Sequence, residues 1–253
     1  MDAPATEPVD KRRELALIGK RVSVCRDCGL CAGRTNAVPG EGNPDADIVF
    51  IGEGPGFYED QQARPFVGAS GKFLDELLAG IGLDRKKVFI ANVVKCRPPQ
   101  NRDPQPDEIA ACSKYLDEQL AVIDPKVIVT LGRHSMQRYF PGESVGKIHG
   151  QPRRKGDVIV VPMYHPAAAL HQGSLRRVIE SDFAKLPDFV ARALGGGVAK
   201  PAAAGGSIPA HLQKGAPNTA TEQAARSAAA RGAAASGGDA APDQAESQQM
   251  RLL

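Results

Sequence analysis

Residues 48–78, IVFIGEGPGFYEDQQARPFVGASGKFLDELL, decide how this chain folds. The apolar run Ile48-Val49-Phe50-Ile51 reads as a buried strand. It breaks into Gly52-Glu53-Gly54-Pro55-Gly56, and so dense a run of glycine and proline can neither continue a strand nor begin a helix. An acidic patch and the segment Arg64-Pro65-Phe66-Val67-Gly68 follow. An amphipathic helix is then predicted over residues 71–81, with Ser70 as its cap. A carboxylate, Glu53, and an aromatic ring, Phe66, thus lie on a loop at the carboxyl end of a strand. In an open α/β sheet that is where ligands bind.

The same unit recurs. Further strands are predicted over residues 87–94, 126–131 and 157–163, with helices over 106–122, 133–140 and 174–194. Pro106-Asp107-Glu108 opens the first of these helices in the favoured way. A short helix over residues 10–24 precedes the first strand. Four strand-then-helix units with Val/Ile-rich strands predict an α/β fold: three layers, α/β/α, around a central four-stranded parallel sheet. Glu53, Asn92 and His165 then fall at or just past the carboxyl ends of the first, second and fourth strands, and Gly132 marks the same edge on the third.

Composition divides the chain. From about Gly195 onward the sequence is Ala, Gly, Pro, Ser and Gln with few large apolar residues. Such a segment cannot bury enough surface to offset its ordering entropy, so a disordered tail is expected over 196–253, behind a lead-in helix (1–24) and an ordered domain (25–195). Over 201–253 four basic and four acidic residues cancel, which leaves the formal net charge of +3 to residues 1–200. That excess permits a nucleic-acid partner without demanding one. No run approaches a membrane span, and the polar first residues lack a secretory apolar segment, so a cytoplasmic monomer without a membrane partner is expected. The plainer reading of the tail is an inert extension; the other is a tether to a second protein.

Five cysteines in such a chain point to metal or redox chemistry rather than disulfides. Cys25 and Cys28 form a C-x2-C pair, while Cys96 and Cys112 stand apart. Spacing alone leaves zinc and an iron–sulfur cluster nearly even, and Cys31, which extends the pair to C-x2-C-x2-C, competes as a ligand. Cys96 and Cys112 could equally be small buried apolar residues, although Cys96 lies between Lys95 and Arg97.

The polar residues at the sheet edge suggest a reaction. Glu53 can orient or activate water, Asn92 can read an imide or amide edge with its donor and acceptor, Phe66 offers a flat face, and His165 can donate to a developing negative charge. Each has a plain structural alternative: a solvated carboxylate, a turn amide, a core ring, a strand-end cap. All four at one sheet edge suit a nucleobase whose glycosidic bond is to be cut. On DNA this requires the nucleotide to be extruded into a pocket, with phosphate-positioning cations at the mouth. Lys95, Arg97 and Arg102 beside the second strand, Lys147, Arg153 and Arg154 before the fourth, and Arg176 and Arg177 after it are candidates.

These motifs resemble those of the family 4 (type-4, iron–sulfur) uracil-DNA glycosylases over residues 25–186. The resemblance rests on CRDCGL, GRTNAVPGEGNPDADIVFIGEGPG, RPFVGASG, NVVKCRPPQNRDPQPDE leading to Cys112, and MYHPAAAL, all in the family's order. It implies hydrolysis of the bond between uracil and deoxyribose in DNA, the opening step of base-excision repair. Glu53, Gly54 and Pro55 would wall the pocket and place the water, Phe66 would stack on uracil, Asn92 would read its O4 and N3–H edge, and His165 would donate to O2. Cys25, Cys28, Cys96 and Cys112 would hold one [4Fe-4S] cluster of structural role, with Cys31 a bystander. Arg97, Arg102, Leu170 and Arg176 would meet the DNA, Leu170 as a wedge in the vacated stack. The partner would be uracil-containing DNA at the nucleoid, and a tail that acts as a tether would reach a repair or replication protein. Two departures stand out: Gly54 occupies a position where other uracil glycosylases carry aspartate, and residue 171 is His where a stronger base is expected. The basic insertion of a related branch that traps DNA covalently is missing after the second strand, so turnover is expected. The competing reading is a non-catalytic, metal-stapled nucleic-acid-binding protein on the same fold.

Overall fold

The computed structural model describes residues 10–195; the tail expected over 196–253 lies outside the described residues. Its strands are β1 (Glu41–Gly42), β2 (Ile48–Gly52), β3 (Phe89–Asn92), β4 (Val127–Leu131), β5 (Arg153–Lys155) and β6 (Val158–Met163). They form one sheet in the order β1-β3-β2-β4-β6-β5. The inner four, β3-β2-β4-β6, are parallel, and the two edges are antiparallel. The sheet is therefore six-stranded and mixed, not the four-stranded parallel sheet that periodicity predicts. The edge strands escape periodicity because they are short and carry no apolar run: β1 is Glu-Gly and β5 is Arg-Arg-Lys. They are held by backbone pairing to β3 and β6, which sequence pattern does not register.

The helices are α1 (Lys11–Val24), α2 (Phe57–Gln62), α3 (Ala69–Gly80), α4 (Pro106–Ile123), α5 (Arg133–Gln137), α6 (Val145–Ile148), α7 (Pro166–His171), α8 (Gly173–Phe183) and α9 (Leu186–Ala193). Alternate strand residues face opposite cores, as the pleat requires. Val49, Ile51, Ala91 and Ile128 pack with Ile18 and Val22 of α1 and Tyr115 and Leu116 of α4. Ile48, Phe50, Ile90 and Val129 pack with Leu74 and Leu78 of α3, Phe183 of α8 and Phe189 of α9. Helices thus cover both faces of the sheet. Among the described residues no helix is long and apolar enough to cross a membrane.

Three local expectations are corrected. Ser70 lies inside α3; the cap is Gly68, whose amide is held by Glu59. The acidic patch 57–62 is a helix, α2, instead of a loop. The helix predicted over 174–194 is two, α8 and α9, because Pro187 has no N–H to give and its ring clashes with the carbonyl four residues back.

Connections leave β2 toward β3 on one side and leave β4 toward β6 on the other. The carboxyl ends of β2 and β4 therefore open the crevice where a parallel sheet binds its ligand.

Candidate active site

β2 and β3 end side by side, with Gly52 paired to Asn92. A Cβ on Gly52 would stand 2.4 Å from Asn92 Oδ1 and 2.6 Å from Phe66 Cζ. Only glycine lets these two side chains close over the strand end. Asn92 is 2% exposed, and its buried Oδ1 has no hydrogen-bond partner. Leaving such an acceptor unpaired costs about 1–3 kcal/mol, so the pocket floor is set to receive a donor.

Phe66 holds φ at 53°, a left-handed conformation that a bulky residue adopts only when its surroundings impose it. They do. The Glu59 carboxylate accepts from the amides of Gly56 (3.1 Å), Val67 (2.8 Å) and Gly68 (3.0 Å), tying the Glu53 loop to the Phe66 loop. Arg85 donates to the Phe66 carbonyl and, at 2.8 Å, to that of Pro65. Glu41 and Asp75 hold Arg85 in turn. A Cβ on Gly71 would come within 1.9 Å of the Phe66 oxygen, so α3 can pass this turn only at glycine.

His165 caps α7, and its Nδ1 accepts from the Ala167 amide at 3.1 Å. That bond leaves the imidazole hydrogen on Nε2. Desolvation pulls the His165 pKa down to about 4, so the ring is a neutral donor at pH 7. The ring lies against Phe66, centroids 5.5 Å apart. Gly132, at φ +90°, makes room for it: a Cβ there would stand 3.2 Å from His165 Cβ.

Glu53 lies across the crevice from α5. Burial, reinforced by repulsion from Asp103 and opposed by Arg133, raises its pKa to about 7. His134 Nε2 is 3.7 Å from Glu53 Oε2 and 3.2 Å from Asp103 Oδ1, and Arg133 Nη2 donates to Asp103 Oδ2 at 2.5 Å. The acid is thus poised to change protonation near neutral pH, as a base for water should be.

The cysteines gather from three stretches. Cys25 closes α1, Cys28 leads into a 3-10 turn (Gly29–Ala32), Cys96 follows β3, and Cys112 lies on the buried face of α4. Cys25 and Cys28 act electrostatically on Cys96, and Cys96 and Cys28 on Cys112. Burial pushes the Cys112 thiol up to about 11, and Cys28 and Cys96 rise for the same reason. Two donors point at sulfur: Arg34 Nη1 to Cys96 Sγ at 3.1 Å, and the Lys95 amide to Cys112 Sγ at 3.3 Å. Cys96 and Cys112 are buried with N–H donors aimed at them, and Cys25 and Cys28 are half-buried; sulfurs that meet this way only in the tertiary structure suit thiolate ligands whose charge a metal would balance. Cys31 sits in the turn after Cys28 and acts electrostatically on Cys28 and on Arg34, so it lies beside the same group.

Comparison with known proteins decides the family. A model of the uracil DNA glycosylase superfamily matches residues 39–187. A type-4 uracil-DNA glycosylase of Sulfurisphaera tokodaii is 53% identical over 185 residues, covering 69% of this chain and 84% of that protein. One from Thermotoga maritima is 45% identical, covering 71% of this chain and 96% of its own length. The chain belongs to the type-4 uracil-DNA glycosylase family. A type-5 uracil-DNA glycosylase of Thermus thermophilus is more distant, 36% identical over 115 residues.

In this family member the expected DNA contacts occupy different settings. Leu170 is 42% exposed at the end of α7. The Arg97 guanidinium lies over the exposed ring of Phe57, which packs edge-on against Tyr58. Arg102 is bonded through two nitrogens to Glu108, and Arg176 bridges Glu76 and Glu180, so their charges are already matched within the chain. Sequence reasoning missed Gly52, Glu59, Arg85, Asp103, Arg133 and His134. The strand-end rule reaches Arg133 and His134, which follow β4 directly. Asp103 and Glu59 carry no mark in sequence, since their partners come from other elements.

Proposed function

We infer that the protein is a uracil-DNA glycosylase that hydrolyses the bond between uracil and deoxyribose. The unpaired, buried Oδ1 of Asn92 carries this reading. Uracil offers N3–H to that acceptor; cytosine offers a lone pair at N3 and would set two acceptors against each other. Phe66 supplies the stacking face, with Gly54 and Pro55 as wall.

The chemistry follows from the donors and acceptors around the base. Water held by Glu53 attacks C1′ as the C1′–N1 bond breaks, and the water proton passes to Glu53. The bonding electrons leave with uracil as its N1 anion, whose charge reaches O2 opposite the His165 Nε2–H. The products are free uracil and an abasic deoxyribose. A neutral histidine suits the role, because its hydrogen stays available at any pH above about 4.

Cys25, Cys28, Cys96 and Cys112 would hold one [4Fe-4S] cluster, which when bound supplies a crosslink among α1, the β3 loop and α4. Leu170 is the proposed wedge, and Arg97 with Arg102 and Arg176 the proposed phosphate contacts. The enzyme would act as a monomer in the cytoplasm, on nucleoid DNA. The test is cleavage of an end-labelled oligonucleotide carrying one uracil opposite guanine. Uracil-dependent abasic sites, with none at cytosine or thymine, are expected. Iron-replete protein that yields no product would overturn the reading.

A further inference from the structure

Glu53 sits beside a second carboxylate that its role in placing water does not explain. Asp103 comes from the loop ahead of α4, well removed in sequence, and its oxygen lies within 4.8 Å of Glu53 and His134 ligand atoms. Two carboxylates brought together in a half-buried crevice repel each other. The chain nonetheless fixes Asp103 there firmly. Arg133 Nη2 donates to one oxygen at 2.5 Å, and His134 Nε2 stands 3.2 Å from the other. Arg133 and His134 are consecutive residues at the start of α5, directly after Gly132, so the end of β4 aims both at once.

Burial lowers the His134 pKa, so the ring is neutral at pH 7. Nε2 stands 3.2 Å from Asp103 Oδ1 and 3.2 Å from Arg133 Nη2; to the carboxylate it can only donate and from the guanidinium it can only accept, so the tautomer decides which of the two bonds forms. At 3.7 Å Nε2 does not bond Glu53, so the cluster acts on that carboxylate through proximity and charge. Three oxygen and nitrogen donors this close could also suggest a cation. Arg133 already supplies positive charge to Asp103, which leaves only the Glu53 carboxylate uncompensated when it ionises.

We propose that Asp103, clamped by Arg133 and His134, is a positioning residue that keeps Glu53 a competent base for the attacking water. The inference rests on the glycosylase reading of Glu53. The charged and titratable groups facing Glu53 are Asp103 from the loop before α4 and Arg133 and His134 from α5. Asp103 makes Glu53 more basic and Arg133 makes it less so. Removing the first should lower the pH at which Glu53 ionises, and removing the second should raise it.

The experiment is the pH profile of single-turnover uracil cleavage by the iron-replete enzyme and by E53Q, D103N and R133Q. The unaltered enzyme should show an acid limb near neutral pH, and E53Q should lose that limb with most of its activity. D103N should move the midpoint down by about one pH unit, and R133Q should move it up by a similar amount. Opposite shifts cannot come from general loosening of the fold, which would move both variants alike. If E53Q keeps the limb, Glu53 is not the base, and both readings fall. If E53Q loses it while D103N and R133Q leave the midpoint in place, the clamp is structural and this inference alone fails. A requirement for added divalent cation, abolished by D103N, would overturn it in favour of a metal site.

Discussion

In the proposed reaction Asn92 and His165 divide the base between them, one for recognition and one for the leaving charge. Asn92→Asp exchanges the amide NH2 for a carboxyl oxygen, removing a donor that uracil O4 accepts. In its protonated form it can donate to cytosine N3 while still accepting from the cytosine amine. The ratio of uracil to cytosine cleavage should fall by at least ~10-fold, measured on matched oligonucleotides; an unchanged ratio would remove Asn92 from the reader's role. His165→Ala removes one preorganised donor from the developing anion, for which losses of about 10²–10³ in kcat are usual. KM should change little. Equal losses in binding and turnover would instead make His165 part of ground-state recognition.

Strand ends and turns decide whether those side chains meet. Gly52→Ala would place a methyl group against Asn92 Oδ1 and Phe66 Cζ. Overpacking of this kind typically costs about 1–3 kcal/mol, a melting temperature lower by roughly 3–10 °C for a domain of this size. Cleavage should fall by at least ~10²-fold, since displacements of about 1 Å at a reacting centre have such effects. Kinetics and thermal melting together check this; wild-type cleavage would show that the pocket does not need the close approach. The parallel strands were legible in sequence because each is a Val/Ile-rich run closed by a turn or polar residue. The edge strands β1 and β5 were not, because two or three polar residues pair through backbone alone. α2 was hidden for a related reason: its acidic residues do inward work, Glu59 on the amides of Gly56, Val67 and Gly68 and Asp60 on those of Thr35 and Asn36.

At the scale of the whole molecule, the cysteines join elements distant in sequence. If four of them hold the cluster, Cys96→Ser and Cys112→Ser should lose most of the iron per chain and melt at lower temperature. Cys31→Ser should keep both iron and stability. Iron analysis and thermal melting of the three purified variants decide it; loss of iron in the Cys31 variant would return that residue to the ligand set. α1 belongs to the same assembly. Ile18 and Val22 share a core with Cys96 and Cys112, and Arg21 pairs with Glu118 of α4.

The sequence by itself determined the repeating strand–helix units, the sheet edge carrying Glu53, Asn92 and His165, and the motifs that resemble the family. These are local properties: periodicity, turn chemistry and the residue that follows a strand. The tertiary structure decided the orphaned acceptor on Asn92, the hydrogen on His165 Nε2, the pinned turn at Phe66 and the company Glu53 keeps. Each depends on atoms brought together from separate elements. Burial and proximity set their chemistry, and neither is a property of a residue's neighbours in the chain.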